Sequence, residues 1–269
     1  MSGQRLNFYR HGLTEFIPDR DANILVCAAG PTDRNVFHEL AYRRVTMVNL
    51  DTRLDAAKLA PYQWQRQDIH ALDFADGYFD YAVTHASLHH CRSPHRALLE
   101  MYRVARVGVL VFESRDSLTM RLMQRLGITL SYEDAAVFYN DCRYGGVDNS
   151  PIPNFVYRWT EREVEKTIRS FDPTVRHRIH YRYWYLFPQL ARLERRALLK
   201  HLAVRLAVLP YLAYVTLFPS QRNRFCFYIE KPKLPEALHP WLKMGDDGQI
   251  EFDRAWGEKR YKAALPPED

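Results

Sequence analysis

Two histidines and one glutamate carry the side chains best suited to acid–base chemistry in this sequence. His89 and His90 precede Cys91, and such a cluster invites a metal-site interpretation. Adjacent side chains rarely point to one ion, however, and no carboxylate pair lies at ligand spacing, so we predict no metal site. His89 is a candidate general base, with a structural or cofactor-side role as its alternative. Glu113 is a second candidate, with a salt bridge to Arg115 as its alternative.

A single glycine follows the first apolar run of the chain, residues 24–29. At such a turn Gly30 lets a ligand approach the backbone closely, and the helix N-terminus expected beyond it favours a negative group such as a carboxylate. The next glycine is Gly77. The G-x-G-x-x-G fingerprint and a P-loop with its lysine are therefore missing, and neither a nicotinamide enzyme nor a nucleoside triphosphatase is expected. Gly30 alone is also compatible with a purely structural turn.

Acidic residues follow the next two predicted strands. Asp51 comes just after the second strand, where a carboxylate can accept two hydrogen bonds from ribose hydroxyls. Asp68 and Ile69 follow the third strand, where the carboxylate could accept a bond from an adenine amino group and the adjacent backbone could pair with the ring edge. The alternatives are a helix cap for Asp51 and a solvated loop acid for Asp68.

Within the predicted insertion, residues 115–155, the 18 residues 132–149 combine tyrosines, asparagines and one arginine around a pair of glycines. Such mixtures line ligand pockets, where a few polar groups orient a molecule in a mostly apolar cavity. Tyr144 is a candidate catalytic residue in contact with the substrate, and Arg143 could hold a carboxylate or phosphate through two hydrogen bonds. Gly145 and Gly146 suit the hinge of a lid. A packed surface loop is the alternative.

Strand-like and helix-like segments alternate along the part of the chain that must position these residues. This alternation predicts an α/β fold with a doubly wound, mostly parallel, seven-stranded sheet and a helical cap or insertion. Ser93 and Pro94 suit the start of one helix, and Thr160 with Glu163 forms a capping box at the start of another. The predicted strands are residues 24–29, 45–50, 63–67, 78–84, 107–112, 174–180 and 224–230, and further helices are predicted at residues 34–42, 56–59 and 118–126.

Composition restricts the class of protein. The chain has 269 residues, 47% hydrophobic and 13% aromatic, which is enough for a sizeable core and argues against wholesale disorder. No secretory signal and no uncharged apolar run of about 18 residues is found, and the four cysteines form no C-x-x-C pair. We therefore expect a cytoplasmic, single-domain protein without a disulfide framework. The net charge of +6 is modest and not concentrated in one tail, and no nucleic-acid partner is predicted.

The segment of residues 186–218 is basic at its start and strongly apolar at its end. Such a helix could lie on an anionic membrane, but we favour a homodimer face or a second cap over the substrate pocket. The tail, residues 232–269, is rich in proline and charge and is expected to wrap the surface.

The order of these features resembles the class I S-adenosylmethionine-dependent methyltransferases, in particular their small-molecule branch. The resemblance covers about residues 22–113 and rests on the glycine turn, the acids after the second and third strands, and the stretch FDYAVTHASLHHCRSPHRALLEMYRVARVGVLVF. It implies S-adenosyl-L-methionine as cofactor, with His85 near the sulfonium. The other contacts that it implies are Ala28, Ala29 and Gly30 with the methionine part, Asp51 with the ribose, and Asp68 and Ile69 with the adenine.

The turn departs from the usual acid-x-G-x-G-x-G of the family, because Val26, Ala28 and Thr32 replace the acid and two glycines. A β-branched Thr32 at positive φ would be strained. The function that the resemblance implies is methyl transfer to an O, N or C atom of a small-molecule acceptor. Two alternatives stay open, namely a non-catalytic relative of the same fold and a membrane-peripheral methyltransferase of a lipid-linked substrate.

Overall fold

The computed structural model describes residues 3–185 and 198–262, and its centre is a seven-stranded sheet. The strands lie in the order β3-β2-β1-β4-β5-β7-β6. A separate two-stranded hairpin, β8-β9, lies near the C-terminus. The strands are β1 (Asn23–Cys27), β2 (Arg44–Asn49), β3 (Gln63–Arg66), β4 (Phe79–His85), β5 (Ala105–Ser114), β6 (Arg178–Trp184), β7 (Arg224–Glu230), β8 (Leu242–Met244) and β9 (Ile250–Phe252).

Helices cover both faces of the sheet, as a doubly wound fold requires. One face packs against α4 and α7, and the other against α1, α2 and α3. The α-helices are α1 (Gly3–Phe16), α2 (Pro31–Glu39), α3 (Ala56–Leu59), α4 (Pro94–Val104), α5 (Leu118–Arg125), α6 (Asp134–Phe138), α7 (Glu161–Phe171), α8 (Leu198–Leu217) and α9 (Arg254–Tyr261).

The register of the central strands brings the ends of the parallel strands together. Strand β1 pairs with β2 up to Cys27 opposite Val48, and with β4 up to Cys27 opposite Thr84. Strands β3, β2, β1, β4 and β5 are parallel, whereas β7 is antiparallel to both β5 and β6. The loops after β1, β2, β3, β4 and β5 therefore share one edge of the sheet, which is where ligands bind in open α/β folds.

Local sequence signals explain where two of the helices begin. Helix α4 starts with Pro94, whose missing N–H is not needed at the first helical position. Helix α7 is capped by Thr160, whose side chain accepts a hydrogen bond from the Glu163 N–H, while the Glu163 carboxylate accepts one from the Thr160 N–H. The seven-stranded, mostly parallel sheet and both of these helix starts are confirmed.

Several element boundaries differ from the prediction. Helix α2 spans Pro31–Glu39, not residues 34–42, and β6 spans Arg178–Trp184, not residues 174–180. The shift of β6 reflects its place at the sheet edge, where buried and exposed side chains alternate and no continuous apolar run marks the strand. Helix α1 was not predicted, and the described part of the tail forms β8, β9 and α9.

The basic and apolar segment is described only in part, because residues 186–197 lie outside the described residues. Its apolar half forms the 20-residue helix α8. Among the described residues, no helix is long and apolar enough to cross a bilayer. Leu206, Leu209 and Leu217 of α8 are exposed. The predicted role of this helix as a dimer face or a cap, with a membrane contact as the alternative, therefore stays a prediction.

Candidate functional site

A cavity of about 310 Å³ opens at the carboxyl ends of the parallel strands. Four of the residues implied as cofactor contacts line it, namely Ala28 after β1, Asp51 after β2, Ile69 after β3 and His85 at the end of β4. The sequence separates these residues by up to 57 positions, and the parallel register brings them to one opening. We refer to this cavity as the cleft.

The turn after β1 adopts its shape without a glycine at its tightest position. Ala28 has φ 52°, the left-handed region that favours glycine, whereas Gly30 is extended with φ −134°. Thr32 lies inside α2 and is not among the residues with positive φ, so the expected strain at Thr32 was wrong. The Gly30 N–H donates to the Asp33 carboxylate at 2.9 Å. The replacement of two glycines therefore leaves the turn intact.

Ala29 and Gly30 adjoin the cleft without lining it. The Ala29 side chain is fully buried in the core, its N–H donates to the Val48 carbonyl at 3.0 Å, and its carbonyl accepts from the Asn49 side chain at 2.7 Å. A Cβ placed on Gly30 would meet no atom closer than the Asp33 carboxylate at 4.0 Å. The space beside Gly30 is thus open, and the backbone there is accessible to a ligand.

Asp51 is held by Arg53. The Arg53 backbone N–H and Nε both donate to Asp51 Oδ1 at 2.9 Å, and Nη2 donates to Oδ2 at 2.7 Å. These bonds keep the pKa of Asp51 below its usual value, so the carboxylate is ionised. Arg53 also reaches the 115–155 segment, since Nη1 donates to Asn140 at 2.9 Å and the guanidinium lies 4.3 Å from the centre of the Tyr144 ring.

Asp68 lies beside the cleft and its carboxylate also has a partner. Its Oδ1 accepts from the His70 N–H at 2.9 Å and lies 2.7 Å from His70 Nδ1, while about half of the side chain is exposed. Burial acts to raise the pKa of Asp68, but these bonds bring it below the usual value. Ile69 is buried and lines the cleft together with His70. Ile69 thus offers an apolar wall, whereas Asp68 is not among the residues that line the cleft.

His85 lies at the boundary between the cleft and a second, smaller cavity of about 20 Å³. Tyr9 of α1 stacks on its ring with 4.3 Å between centroids, and Arg5 of α1 donates from Nε to His85 Nε2 at 3.2 Å. Burial, Arg5 and Arg224 lower the pKa of His85 well below its usual range. His85 is therefore a neutral ring.

The smaller cavity combines aromatic walls with two arginines. It is lined by Arg5 and Phe8 of α1, by His85, Phe112 and Glu113 at the strand ends, and by Trp184, Arg224 and Phe225. Arg224 donates to Ser114 Oγ at 2.6 Å. Neither Arg5 nor Arg224 forms an ion pair within the described part of the chain, although burial lowers the pKa of both. We refer to this space as the inner pocket.

Helix α1 is the functional element that the sequence analysis missed. Its buried residues, Phe8, Tyr9, Gly12 and Leu13, recur at helical spacing, so the signal was present. A Cβ on Gly12 would lie 2.6 Å from the Phe112 ring, so the helix packs directly against the end of β5. Through Arg5 and Phe8, α1 closes the inner pocket.

His89 and Glu113 lie together in the protein interior. His89 Nδ1 is 2.8 Å from Glu113 Oε2, and Glu113 Oε1 accepts from the Leu88 N–H at 2.8 Å. Burial would lower the pKa of His89, but Glu113 and Glu133 raise it to about 9. Glu113 does not pair with Arg115, which binds Glu161 at 2.7 Å, so that alternative was wrong. His89 lines neither cavity, whereas Glu113 lines the inner pocket.

The 115–155 segment lines the cleft through the turn at residues 145–149, not through the predicted contacts Tyr144 and Arg143. Gly145, Gly146, Asp148 and Asn149 line the cleft, whereas Tyr144 stacks on Arg53 and Arg143 is exposed. Gly146 is required by space, because a Cβ there would lie 1.9 Å from the Ile152 carbonyl oxygen.

The chain is similar to a family model and to solved protein structures. Residues 27–112 match a family model described as a methyltransferase domain. No curated protein matches the chain in sequence. Among solved structures, an S-adenosylmethionine-dependent methyltransferase from Mesorhizobium loti is 12% identical with a TM-score of 0.50, over 84% of this chain and 99% of that chain. A protein from Pyrococcus horikoshii OT3 is 13% identical with a TM-score of 0.51, over 85% and 90% of the two chains.

The structural likeness shows the fold, and the family match covers the segment from the end of β1 to β5. This segment contains the loops after β1, β2, β3 and β4 that form the cleft. The chain therefore contains a segment that matches a methyltransferase domain, within a fold similar to that of an S-adenosylmethionine-dependent methyltransferase.

Proposed function

We propose that the chain transfers the methyl group of S-adenosylmethionine to a small acceptor molecule that carries an anionic group. The observation that carries the proposal is the convergence of Ala28, Asp51, Ile69 and His85 on one cleft, which shares His85 with the adjacent inner pocket. The cleft suits the cofactor, and the inner pocket suits the part of the acceptor that must reach the methyl group.

Each part of the cofactor has a counterpart along the cleft. Asp51 would accept hydrogen bonds from the ribose hydroxyls, as its ionised carboxylate and position after β2 allow. Ile69 would pack against the adenine, with Asp68 beside the cleft. The open backbone at Gly30 and the turn at Ala28 would lie along the methionine part.

The bound cofactor supplies an electrophilic methyl group on a cationic sulfur, and the chain's task is to orient the acceptor toward it. His85 would lie beside the sulfur. Because its ring is neutral, His85 adds no repulsion to that positive charge. Its ring is fixed by the stack on Tyr9 and the bond from Arg5, so it can also set the boundary between cofactor and acceptor.

The inner pocket supports an anionic acceptor. Arg5 and Arg224 line it without a carboxylate partner in the described part of the chain, and the nearby Glu113 is engaged by His89. Both arginines are half-buried, and a bound carboxylate or phosphate would supply the counter-ion that they lack. We assign the anion contact to Arg224 instead of Arg143, because Arg143 is exposed and borders neither cavity.

Glu113 is the carboxylate nearest to an acceptor in this pocket, and His89 holds it in place. We propose Glu113 as the group that receives a proton where the acceptor atom carries one, and His89 as its positioning residue. Tyr144, predicted as a catalytic residue, is proposed instead to hold the 115–155 segment through Arg53.

The test is formation of S-adenosylhomocysteine from S-adenosylmethionine with a panel of small acceptors. The panel pairs carboxylated or phosphorylated amines and alcohols with their neutral analogues. We expect turnover with anionic members, and we expect Arg224→Ala to raise their KM by roughly 10- to 150-fold, the equivalent of one charge-assisted bond of about 1.5–3 kcal/mol.

Arg43→Ala is the matched control, because Arg43 lies on the surface and pairs with Asp21. Affinity for S-adenosylhomocysteine is measured in both variants, since the carboxylate of the cofactor could also use Arg224. A loss of cofactor affinity without a change in acceptor KM would move Arg224 to the cofactor site. A cofactor-loaded protein that turns over no acceptor would favour the non-catalytic alternative.

A further inference from the structure

We infer that His89, His90 and Glu133 form a binding site for a divalent transition-metal ion such as Zn²⁺. Glu133 Oε2 lies 3.6 Å from His89 Nε2 and 3.3 Å from His90 Nε2. One ligand atom from each of the three residues lies within 4.8 Å of the other two. Two imidazoles and one carboxylate are a donor set that zinc uses in catalytic sites.

The spacing of the three ligand atoms fits an ion better than it fits direct contacts. Ligands about 2.0–2.1 Å from a tetrahedral ion are roughly 3.4 Å apart, close to the distances from Glu133 to the two rings. The 3.6 Å separation of His89 Nε2 from the carboxylate is too long for a hydrogen bond. The three donor atoms thus lie close together, and only the 3.3 Å contact of His90 Nε2 with Glu133 is within hydrogen-bond reach.

The surrounding residues hold the ligands in this arrangement. Glu113 binds Nδ1 of His89 at 2.8 Å, which leaves Nε2 as the metal-facing atom, and such a carboxylate is typical behind a metal-bound histidine. Asn154 connects the two sides of the site. Its side-chain Nδ2 donates to the His89 backbone carbonyl at 3.0 Å, and its backbone carbonyl accepts from the Glu133 N–H at 3.1 Å. Asn154 is buried, so this connection is shielded from water.

The adjacent histidines converge because of their local backbone. They lie in a short 3₁₀ turn, Leu88–His90, and their rings are tilted by 37° with centroids 4.5 Å apart. No metal site was predicted, because the side chains of neighbouring residues rarely point to one ion and no carboxylate pair lies at ligand spacing in the sequence. Glu133 supplies that carboxylate from 43 positions further along the chain. His90 also lines the cleft, so the site borders the space assigned to the cofactor.

The experiment is a titration of metal-free and cofactor-free protein with Co²⁺, followed by visible absorption, and then displacement by Zn²⁺. We expect one equivalent of Co²⁺ to bind with the absorption of a four-coordinate ion. Glu133→Gln and His90→Ala are each expected to weaken binding at least tenfold. The control is His11→Ala, because His11 is a surface histidine of α1, and it should bind as the parent does.

Absence of a bound equivalent, or equal affinity in the parent and Glu133→Gln, would overturn the proposal. Glu133→Gln keeps the size of the side chain, so it decides the matter even where His90→Ala fails to fold. The titration uses no cofactor and no acceptor. Its failure is therefore distinct from a failure of the proposed methyl transfer.

Discussion

The carboxylate of Asp51 gives the sharpest test of where the cofactor binds. We expect Asp51→Ala to weaken the binding of S-adenosylhomocysteine while leaving the fold intact, because the side chain lines the cleft and is not part of the core. Two hydrogen bonds from ribose hydroxyls to an ionised carboxylate would contribute about 1.5–3 kcal/mol each.

The full contribution of both bonds is not expected, because Arg53 already donates to both oxygens of Asp51. A ribose must share the carboxylate with this guanidinium, so we take the equivalent of one bond. The expected loss is then about 1.5–3 kcal/mol, or roughly 10- to 150-fold in Kd. Asp51→Asn keeps the shape and one weaker acceptor, and it should fall between Asp51→Ala and the parent.

Isothermal titration calorimetry with S-adenosylhomocysteine measures the change directly. The matched control is Asp55→Ala, because Asp55 caps α3 with a 2.9 Å bond from the Lys58 N–H and does not line the cleft. Asp55→Ala should lower stability by about 1 kcal/mol without changing the affinity. An Asp51→Ala protein that is folded and binds within twofold of the parent would refute the assignment of the ribose.

Three further outcomes are expected. Hydrogen bonds from Arg103 lower the pKa of Glu100, so this carboxylate stabilises the fold above the unfolded value of about 4.3 and the stabilisation is lost as pH falls below it. The Tm of Glu100→Gln should therefore depend less on pH between pH 3 and 5 than that of the parent. Gly146→Ala should destabilise the 115–155 segment by about 1–3 kcal/mol, because the added Cβ would lie 1.9 Å from the Ile152 carbonyl oxygen. The same substitution should weaken S-adenosylhomocysteine binding, because Gly146 lines the cleft. Trp159→Ala should lower the free energy of unfolding in urea by about 3–5 kcal/mol, since Trp159 is fully buried.

Two surface substitutions serve as references for the last two changes. Gly3→Ala adds a Cβ that meets no atom within 4 Å, and Leu209→Ala shortens a side chain that is 75% exposed. Equal cofactor affinity in Gly146→Ala and Gly3→Ala would contradict the role of the 115–155 segment at the cleft. A similar loss of unfolding free energy in Trp159→Ala and Leu209→Ala would contradict the packing of Trp159. If the Tm of Glu100→Gln and of the parent fell equally between pH 5 and 3, the ion pair of Glu100 with Arg103 would be contradicted.

The sheet could be predicted because its central strands are continuous apolar runs, which is typical of strands buried on both faces. The run at β1 and the strand at β7 illustrate this, and β7 has the predicted limits Arg224–Glu230. Strand β6 was placed four residues too early because an edge strand carries an alternating pattern instead. Helix α1 has one buried face among polar residues, which is a weaker signal than a continuous apolar run.

The cleft could be predicted in part because the strand order alone decides which loops meet. Ala28, Asp51, Ile69 and His85 follow from that order. Contacts between distant segments could not be predicted in this way. The approach of Glu133 to the two histidines depends on how a long insertion folds back, and the position of Arg5 over His85 depends on the docking of a helix that the strand pattern does not include.

A crystal structure of the chain with S-adenosylhomocysteine tests the central claim most directly. The account predicts the ligand in the cleft, with its ribose hydroxyls about 2.5–3.0 Å from the Asp51 carboxylate, its adenine against Ile69 and its sulfur beside His85. A ligand bound elsewhere on the chain, or bound in the cleft with its ribose away from Asp51, would contradict it.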